Sequence, residues 1–161
     1  MHDCGFTEDN NRFRYRTGGI IINNNKMLFV KSGIGDYYYM VGGAVQMGES
    51  SEACIEREIF EETGLKASVN HLSVVSENFF KGIGGEIAGF DCHTLEFYYY
   101  MNVEDEDLNN CKSETDVGER LVWIPIKEIS TSHIKPDFIK ERISEILSSS
   151  SIIHIVEERD R

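Results

Sequence analysis

Three glutamates crowd into one short stretch of the chain, the sequence REIFEETG at positions 57–64. At about 100° per residue on an α-helix, Glu58, Glu61 and Glu62 fall within one arc of about 100°. Glu58 and Glu62 form an i,i+4 pair of like charges, which weakens an isolated helix by about 0.2–0.5 kcal/mol. The helix dipole also disfavours negative charge at the C-terminal end, where Glu61 and Glu62 lie. Local helix energetics therefore do not explain why these acids share a face.

A bound divalent cation would turn this repulsion into a binding site. Mg²⁺ prefers oxygen ligands and typically binds one or two carboxylates together with the phosphates of a substrate. A solvated acidic face is the more common role of a Glu-rich helix, and both interpretations fit the glutamates alone. The residues around them are needed to choose between the two.

The longer stretch from Gly42 to Leu65, GGAVQMGESSEACIEREIFEETGL, resembles the signature of the Nudix hydrolases. That signature is a glycine, five residues, a glutamate, seven residues, and then Arg-Glu-aliphatic-any-Glu-Glu-any-Gly-aliphatic. The matching positions are Gly43, Glu49, Arg57, Glu58, Ile59, Glu61, Glu62, Gly64 and Leu65. With seven fixed identities, a chance match at one start position has a probability on the order of 10⁻⁸ to 10⁻⁹. The motif therefore identifies a family, but it leaves the substrate open.

The resemblance implies a fold and a reaction. The fold would be of the α/β class, a Nudix-type α/β/α sandwich with a mixed central sheet, formed by a single domain over residues 1–161. The reaction would be the metal-dependent hydrolysis of a diphosphate bond in a nucleoside diphosphate derivative or a related small organic pyrophosphate. Mg²⁺ or Mn²⁺ would be the cofactor, because metal ions activate bound water and bridge phosphate oxygens without a covalent nucleophile.

The resemblance also implies roles for the acids. Glu61 and Glu62 would ligate the metal, and Glu58 would be a further ligand or the base that deprotonates the attacking water. Gly43 would let the backbone approach the metal, with its carbonyl group as a candidate ligand. The candidate catalytic residues are thus Glu58, Arg57 and Glu61.

Arg57, Glu49 and Gly64 would support the site. The guanidinium fork of Arg57 would hold the carboxylate of Glu58 or Glu49. A simple i,i+4 surface pair between Arg57 and Glu61 is the alternative. Gly64 would serve the turn that follows the helix.

Positions beside the motif leave further questions open. Val41 replaces the proline that many family members have before the two glycines, which affects the expected rigidity of the loop entrance. Members that hydrolyse ADP-ribose often have a proline about fifteen residues after the motif, and residues 78–81 contain none. Glu96 is the first candidate for an additional acid outside the motif, ahead of Glu104 and Glu119. Each of the three also fits a surface acid.

Periodic patterns predict the elements that must position these residues. In chain order we expect a hairpin over 13–32 that turns at NNNK, an aromatic strand over 35–49 that breaks at Gly42-Gly43, a helix over 50–63, strands over 66–80, 93–104 and 120–126, a helix over 136–150 and a closing strand. Ser50 or Ser51 can cap the motif helix, and Gly64 can end it. The Gly-rich segment 81–92 is either a substrate lid or a plain hairpin connection.

The charge balance restricts the kinds of partner. The chain has 16 Lys and Arg against 28 Asp and Glu, a formal net charge of -12, so its overall field repels polyanions. Long nucleic acids, including RNA with a 5′ diphosphate, are therefore disfavoured, whereas a small nucleotide-type substrate can bind through a cation. No apolar run long enough for a membrane span or a signal peptide occurs, and the cysteines show no CxxC pair. These features predict reduced thiols and a cytoplasmic location.

The binding mode and the assembly state are less well determined. A non-catalytic sensor of a nucleotide metabolite is the alternative function, although such modules tend to lose the acids that this chain keeps. Substrate-binding residues are not assigned, because the aromatic candidates for base stacking also fit a core. Those candidates are Tyr37, Tyr39, Phe79, Phe80, Tyr98 and Trp123, with His93 as a polar candidate. A homodimer is expected only by analogy with relatives.

Overall fold

Two β-sheets with helices on both sides form residues 1–158, the part of the chain that the computed structural model describes. In chain order the elements are β1 (Gly5–Glu8), β2 (Asn11–Ile20), β3 (Ile22–Asn23), β4 (Lys26–Lys31), β5 (Tyr38–Met40), β6 (Gly42–Ala44), α1 (Ser51–Thr63), β7 (Ala67–Lys81), β8 (Asp91–Val103), α2 (Asp105–Leu108), β9 (Leu121–Pro125), α3 (Asp137–Glu141), α4 (Ile143–Ser148) and β10 (Ile153–Glu158). Short 3₁₀-helices lie at Gly85–Ile87 and Ile126–Thr131.

The larger sheet has the strand order β1-β2-β8-β7-β10, and β6 also pairs with β2. Strand β8 runs parallel to β2 and antiparallel to β7, while β10 runs parallel to β7. Parallel neighbours need a long connection, and the chain between β2 and β8 forms the smaller sheet and α1 on its way. The prediction of a mixed central sheet is confirmed.

The smaller sheet is built around β4, which pairs with β3, β5 and β9. Asn24 and Asn25 make the turn between β3 and β4 with φ angles of 49° and 57°, a conformation that Asn tolerates better than most residues. The NNNK turn is therefore present, but the hairpin predicted over 13–32 is only partly right. Its first strand leaves the turn and pairs with β8, a distant partner that local alternation does not reveal.

Helices cover both faces of the larger sheet. Ile55 and Ile59 of α1 share a buried cluster with Tyr99 of β8, whereas Phe138 of α3 belongs to a second cluster with Tyr98. Since successive side chains of a strand point to opposite faces, the two clusters lie on opposite sides of β8. The α/β/α sandwich expected from the resemblance is confirmed.

Helix α1 begins and ends where the sequence predicts. The Ser50 side chain accepts a hydrogen bond from the backbone N–H of Ala53 at 3.2 Å, so Ser50 rather than Ser51 is the cap. Gly64 adopts a φ of 75° and donates its N–H to the carbonyl of Phe60 at 2.9 Å. Such a left-handed glycine ends a helix without steric cost.

Two other predictions of secondary structure need correction. The helix expected over 136–150 is divided into α3 and α4, because the backbone at Arg142 leaves the helical region with φ -118° and ψ 17°. Both pieces send buried apolar residues into one cluster: Phe138, Ile139, Ile143 and Ile146. Strand β1 was not predicted, and it pairs with β2 from Gly5 opposite Arg14 to Glu8 opposite Asn11.

Residues 81–92 form a closed connection between β7 and β8. Gly82 donates to the carbonyl of Phe90 at 2.9 Å, and Gly89 donates to the carbonyl of Gly82 at 2.8 Å. This geometry fits the plain hairpin connection, and a lid function of the segment stays a prediction. Over residues 1–158, no helix has the length and apolar character needed to cross a bilayer.

Candidate active site

The guanidinium group of Arg57 joins three of the motif carboxylates. Its Nε and Nη2 atoms lie 2.7 and 3.0 Å from the two carboxylate oxygens of Glu49, and its Nη1 lies 2.7 Å from Oε1 of Glu58. Nη1 also donates to Oε2 of Glu61 at 3.1 Å, one helical turn further on. The carboxylate fork and the i,i+4 pair, which the sequence left as alternatives, are thus both present in one network.

Glu49 serves in this network as an anchor between the loop before α1 and the helix itself. Arg57 engages both of its oxygens, and the backbone N–H of Gln46 donates to Oε2 at 3.0 Å. The hydrogen bond from Arg57 lowers the pKa of Glu49, and the same contact raises the pKa of Arg57. A charge-assisted bidentate pair fixes orientation as well as charge, so the loop holds the helix in one rotation.

Glu58 points at the backbone of β6. A β-carbon built on Gly43 would overlap the carboxyl group of Glu58, so only glycine leaves room for that acid. Burial raises the pKa of Glu58, although the hydrogen bond from Arg57 opposes the effect. The two motif positions meet because β6 pairs with β2 through Gly43 opposite Thr17, and α1 packs against both strands.

Close packing of α1 on β2 determines the distance between the helix acids and the sheet. A β-carbon on Gly19 would lie 2.8 Å from Cδ1 of Ile59, so a larger residue there would force the Ile59 side chain to shift. The Cys54 thiol lies 3.3 Å from Oγ1 of Thr17 and donates to the carbonyl of Ala44 at 3.4 Å. Burial raises the pKa of Cys54 to about 11, which keeps the thiol protonated as a donor. One signal for these supports is visible in the sequence, the Thr-Gly-Gly run in β2.

Glu61 and Glu62 have different surroundings at the end of α1. The Glu61 side chain is 50% exposed and contacts Arg57. Glu62 is partly buried, and burial together with the charge of Asp116 raises the pKa of Glu62 to about 7. The charges of Glu58 and Glu119 contribute to the same rise. The carboxylate of Glu62 therefore lies near three others, those of Asp116, Glu58 and Glu119.

The loop before β9 supplies two of these acids. Glu119 accepts hydrogen bonds from the backbone N–H of Gly33 at 2.6 Å and from the hydroxyl of Tyr39. Asp116 is close enough to Glu62 for its charge to raise the pKa of that acid. Glu119 was among the additional acids expected from the sequence. Asp116 was not expected, and its one signal is its place in an acidic loop.

Glu96 lies on β8, on the same face as Tyr98 and opposite α1. Its carboxylate lies 3.5 Å from Nε of Arg16 and accepts a hydrogen bond from the Tyr98 hydroxyl at 2.8 Å. The role of Glu96 as the first additional acid stays a prediction. Glu119 lies near Glu62, and this position favours Glu119 over Glu96 for that role. The sequence ranked them the other way because it did not fix the register of β8 to one residue.

A loop packs against the C-terminal end of α1. Lys112 donates from Nζ to the carbonyl of Glu61 at 2.9 Å, and its N–H donates to the carbonyl of Thr63 at 2.8 Å. A cation at this end complements the helix dipole and offsets part of the acidic charge. Gly64 lies in the turn between the two, and its missing side chain leaves room for the backbone oxygen of Asn110.

The donor set around Glu62 suits a hard divalent cation. All four side chains offer carboxylate oxygens, which Mg²⁺ and Mn²⁺ prefer as ligands. Burial and the nearby negative charges together raise the pKa of Glu62, and a bound cation would offset those charges. Among residues 1–158, no three His, Cys, Asp or Glu side chains are already arranged to hold a metal ion, so the acids would have to close around it.

Among the aromatic candidates for base stacking, Tyr98 differs in its surroundings from Phe79 and Phe80. Tyr98 is 3% exposed and packs edge-on against Phe138, so it is a core residue. Phe79 has its ring centroid 4.3 Å from that of His93, and with Phe80 they line a cavity of about 300 Å³. This cavity lies at the end of the larger sheet where β2 and β8 begin, several residues along β2 from the strand pairing that holds Gly43.

Comparisons with known proteins agree with this arrangement. A family model described as the NUDIX domain matches residues 12–145. The NAD-capped RNA hydrolase NudC of Actinobacillus succinogenes is 45% identical over 47 residues, which are 29% of this chain and 18% of that protein. The ADP-ribose pyrophosphatase of Methanocaldococcus jannaschii is 36% identical over 110 residues, covering 57% of this chain and 60% of that protein. The chain thus spans less than two thirds of the length of these curated relatives.

The fold itself also has solved counterparts. The structure of a MutT protein from Bacillus halodurans superposes with a TM-score of 0.63 and 18% sequence identity, covering 88% of this chain and 86% of that one. At that identity the similarity establishes the fold alone.

Proposed function

The chain belongs to the NUDIX domain family, and on this basis we propose that it is a metal-dependent pyrophosphohydrolase acting on a nucleoside diphosphate derivative or a related small organic pyrophosphate. One observation carries the proposal. Arg57 fixes Glu49 and Glu58 with Glu58 packed on Gly43, and the same helix presents Glu62 beside further acids. A network of this kind is difficult to explain as a solvated acidic face, because its members are held and partly buried.

The motif acids would hold the cation. Glu58, Glu61 and Glu62, with the carbonyl group of Gly43, are the proposed ligands for Mg²⁺ or Mn²⁺. When bound, such an ion lowers the pKa of a water molecule and offsets the charge of phosphate oxygens. Glu61 is the most accessible of the three acids, since its side chain is half exposed and engages only one donor atom of Arg57.

The chain's own groups position the water and receive its proton. Water adds to one phosphorus atom of the diphosphate, the bridging P–O bond breaks, and the proton of the water passes to a carboxylate. Glu58 is placed either to receive that proton or to hold the ion, and its fixed orientation serves both roles. Arg57 acts as a positioning residue, because its donors are engaged by carboxylates rather than directed to open space.

The substrate class follows from the relatives together with the charge of the chain. ADP-ribose and an NAD cap each contain a diphosphate that joins two organic groups, so we propose a two-ended substrate of this kind. The net charge of -12 favours a small molecule over capped RNA, because phosphate contacts by cationic groups dominate binding to long nucleic acids. The missing proline at 78–81 argues against ADP-ribose itself.

Location and assembly rest on the family resemblance. We propose a cytoplasmic enzyme that acts on a small-molecule substrate, with a homodimer as its expected assembly state. Cell fractionation and sedimentation equilibrium would test the two statements separately.

A substrate panel tests the proposed reaction. The protein is incubated with dinucleotides, nucleotide sugars, ADP-ribose and nucleoside triphosphates, in the presence of Mg²⁺, Mn²⁺ or EDTA, and the products are separated by ion-exchange chromatography. We expect cleavage at the diphosphate with either metal and none with EDTA. Binding of a nucleotide without cleavage under every condition would favour the sensor alternative instead.

A further inference from the structure

Cys54 lies beside the charged network of the site, although the motif leaves its position free. It is one of the seven unconstrained residues between Glu49 and Arg57. On α1 it precedes Arg57 by three residues, which places the two side chains next to each other on the helix surface. Cys54 is 0% exposed. Its role is therefore a property of this chain rather than a requirement of the motif.

The thiol of Cys54 contacts each element that builds the site. Its Sγ atom lies 3.3 Å from Oγ1 of Thr17 on β2, and the thiol donates to the carbonyl of Ala44 on β6 at 3.4 Å. Within α1, Nη2 of Arg57 donates to Sγ at 3.6 Å. The hydrogen bond from Arg57 lowers the pKa of Glu49, and the nearby Cys54 thiol acts in the same direction. The thiol thus lies close to both partners of the pair that anchors the loop to the helix.

Three groups close around Nη2 of Arg57. Nη2 donates to Oε2 of Glu49 at 3.0 Å and lies 3.4 Å from the carbonyl oxygen of Ala44, the same oxygen that accepts from Cys54. The guanidinium group is planar and rigid, so contacts at Nη2 also determine where Nη1 points. Nη1 donates to Oε1 of Glu58 at 2.7 Å. A shift at Nη2 would therefore be transmitted to Glu58.

A buried cysteine can also act as a small apolar filler, and this is the alternative role of Cys54. An apolar filler would not satisfy the hydroxyl of Thr17, which is on a residue only 1% exposed and has the thiol as a hydrogen-bonding partner. Buried hydroxyl groups are costly when they lack a partner. The contacts of the thiol with polar groups on three sides therefore favour a polar role.

From this geometry we infer that Cys54 is a positioning residue of the hydrolytic site, whose thiol holds Nη2 of Arg57 in place and thereby fixes the orientation of Glu49 and Glu58. The inference rests on the proposed function. A thiol is a weak donor and a weak acceptor, so it can orient the guanidinium group and leave the strong charge-assisted bonds of Arg57 to the two carboxylates. The effect of Cys54 on the reaction passes through Arg57.

Two substitutions of Cys54 separate a polar role from packing. Cys54→Ala should lower kcat about tenfold for the best substrate of the panel, with KM within about twofold, because the orientation of the network changes. Cys54→Ser keeps a group that donates and accepts, so its kcat should stay within about threefold of the native value. A packing role predicts the opposite order, because a buried serine is more costly than a buried alanine.

Cys92 offers a matched control outside the network. It is 4% exposed, and its thiol donates to the carbonyl of Phe90 at 3.7 Å. Cys92→Ala should leave kcat within about twofold, even where it lowers the melting temperature as much as Cys54→Ala does.

A double-mutant cycle tests whether Cys54 acts through Arg57. In the Arg57→Lys background, Cys54→Ala should change kcat by less than about twofold, because the group that the thiol positions is already gone. Independent, multiplicative losses from the two changes would overturn the inference. An activity of Cys54→Ser at or below that of Cys54→Ala would overturn it as well.

Hydrogen exchange at Nε of Arg57, followed by ¹⁵N NMR, tests the contact without turnover. Nε donates to Oε1 of Glu49 at 2.7 Å, and Cys54→Ala should speed this exchange about tenfold. Native hydrolysis with unchanged exchange and unchanged kcat in Cys54→Ala would overturn the inference alone. Faster exchange in Cys54→Ala, in a protein that cleaves no substrate of the panel, would overturn the proposed function and support the contact between Cys54 and Arg57.

Discussion

The carboxyl group of Glu58 fills the space that a side chain on Gly43 would need. This relationship holds helix α1 close to strand β6, and it places a partly buried acid against the backbone at Gly43. The fixed spacing between Gly43 and Glu58 in the motif therefore reflects this close contact.

Replacement of Gly43 by alanine should damage the reaction more than the fold. The added methyl group would displace the Glu58 carboxylate by about an ångström or more, a shift that can reduce turnover about 100-fold. We expect kcat to fall by that order for the best substrate of the panel, with the circular dichroism spectrum unchanged.

Gly48 provides the matched control for that change. Its φ is 84°, and a β-carbon there would meet nothing within 4 Å. Gly48→Ala should therefore cost about 1 kcal/mol of unfolding free energy through backbone strain and leave kcat within about twofold. A Gly43→Ala enzyme as active as the Gly48→Ala enzyme would contradict the close-approach explanation.

Arg57→Lys should separate charge from orientation. Lysine keeps the positive charge but cannot bind both oxygens of Glu49 while also contacting Glu58. We expect turnover to fall by about 10- to 100-fold while metal affinity, measured by calorimetry, changes less. The exposed Arg142, which pairs with Glu145, offers Arg142→Lys as a control that should change neither quantity.

The residues of this network could be predicted because they are close in sequence. The cap at Ser50, the helical spacing of the acids and the left-handed turn at Gly64 are all local features, and local physics determines them. The contact between Glu58 and Gly43 could be expected only from the family resemblance, since it depends on β6 pairing with β2 while α1 packs on the same strands.

A divalent cation should stabilise the protein through Glu62. Binding at a concentration of 100 times Kd adds about 2.7 kcal/mol to the unfolding free energy, which corresponds to about 5–10 °C in melting temperature for a chain of this size. Glu62→Gln should lose most of that gain. Without metal, the variant should melt at the same temperature as the native protein or higher, because the change removes repulsion from Asp116 and Glu119.

Scanning calorimetry with Mg²⁺, with Mn²⁺ and with EDTA gives these values independently of activity. The matched control is Glu52→Gln. Glu52 is an exposed acid in the first turn of α1, and it faces away from Glu58, Glu61 and Glu62. A melting temperature that does not respond to either metal in the native protein would contradict the cation site.

Substitutions of Glu119 and Glu96 decide which acid outside the motif assists the reaction. Glu119→Gln should lower kcat about tenfold, because it removes charge beside Glu62 and weakens the contact with Tyr39. Glu96→Gln should lower kcat by less, since Glu96 faces Arg16 on the other side of β8. Tyr39→Phe removes the hydroxyl contact and keeps the charge of Glu119, so it shows which of the two matters. A larger loss for Glu96→Gln would restore the order predicted from the sequence.

Long-range features could not be read from the sequence for identifiable reasons. Asp116 and Glu119 reach the helix acids because the loop before β9 packs against the C-terminal end of α1, and no local pattern encodes that path. The arginines of β2 alternate plainly in the sequence, but their common face with Thr94 and Asn78 depends on the parallel pairing of β2 with β8. The helix over 136–150 was predicted as continuous because its apolar stripe is regular, while the bend at Arg142 leaves that stripe intact.

A comparison of Glu61→Gln with Glu52→Gln, in hydrolysis of the best diphosphate substrate under saturating Mg²⁺ or Mn²⁺, tests whether the helix acids hold the catalytic cation. Both variants neutralise one exposed acid of the same helix, but only Glu61 belongs to the proposed cation site. We expect Glu61→Gln to lower kcat by at least about 100-fold and Glu52→Gln to stay within about twofold of the native enzyme. Equal activity of the two variants would contradict it.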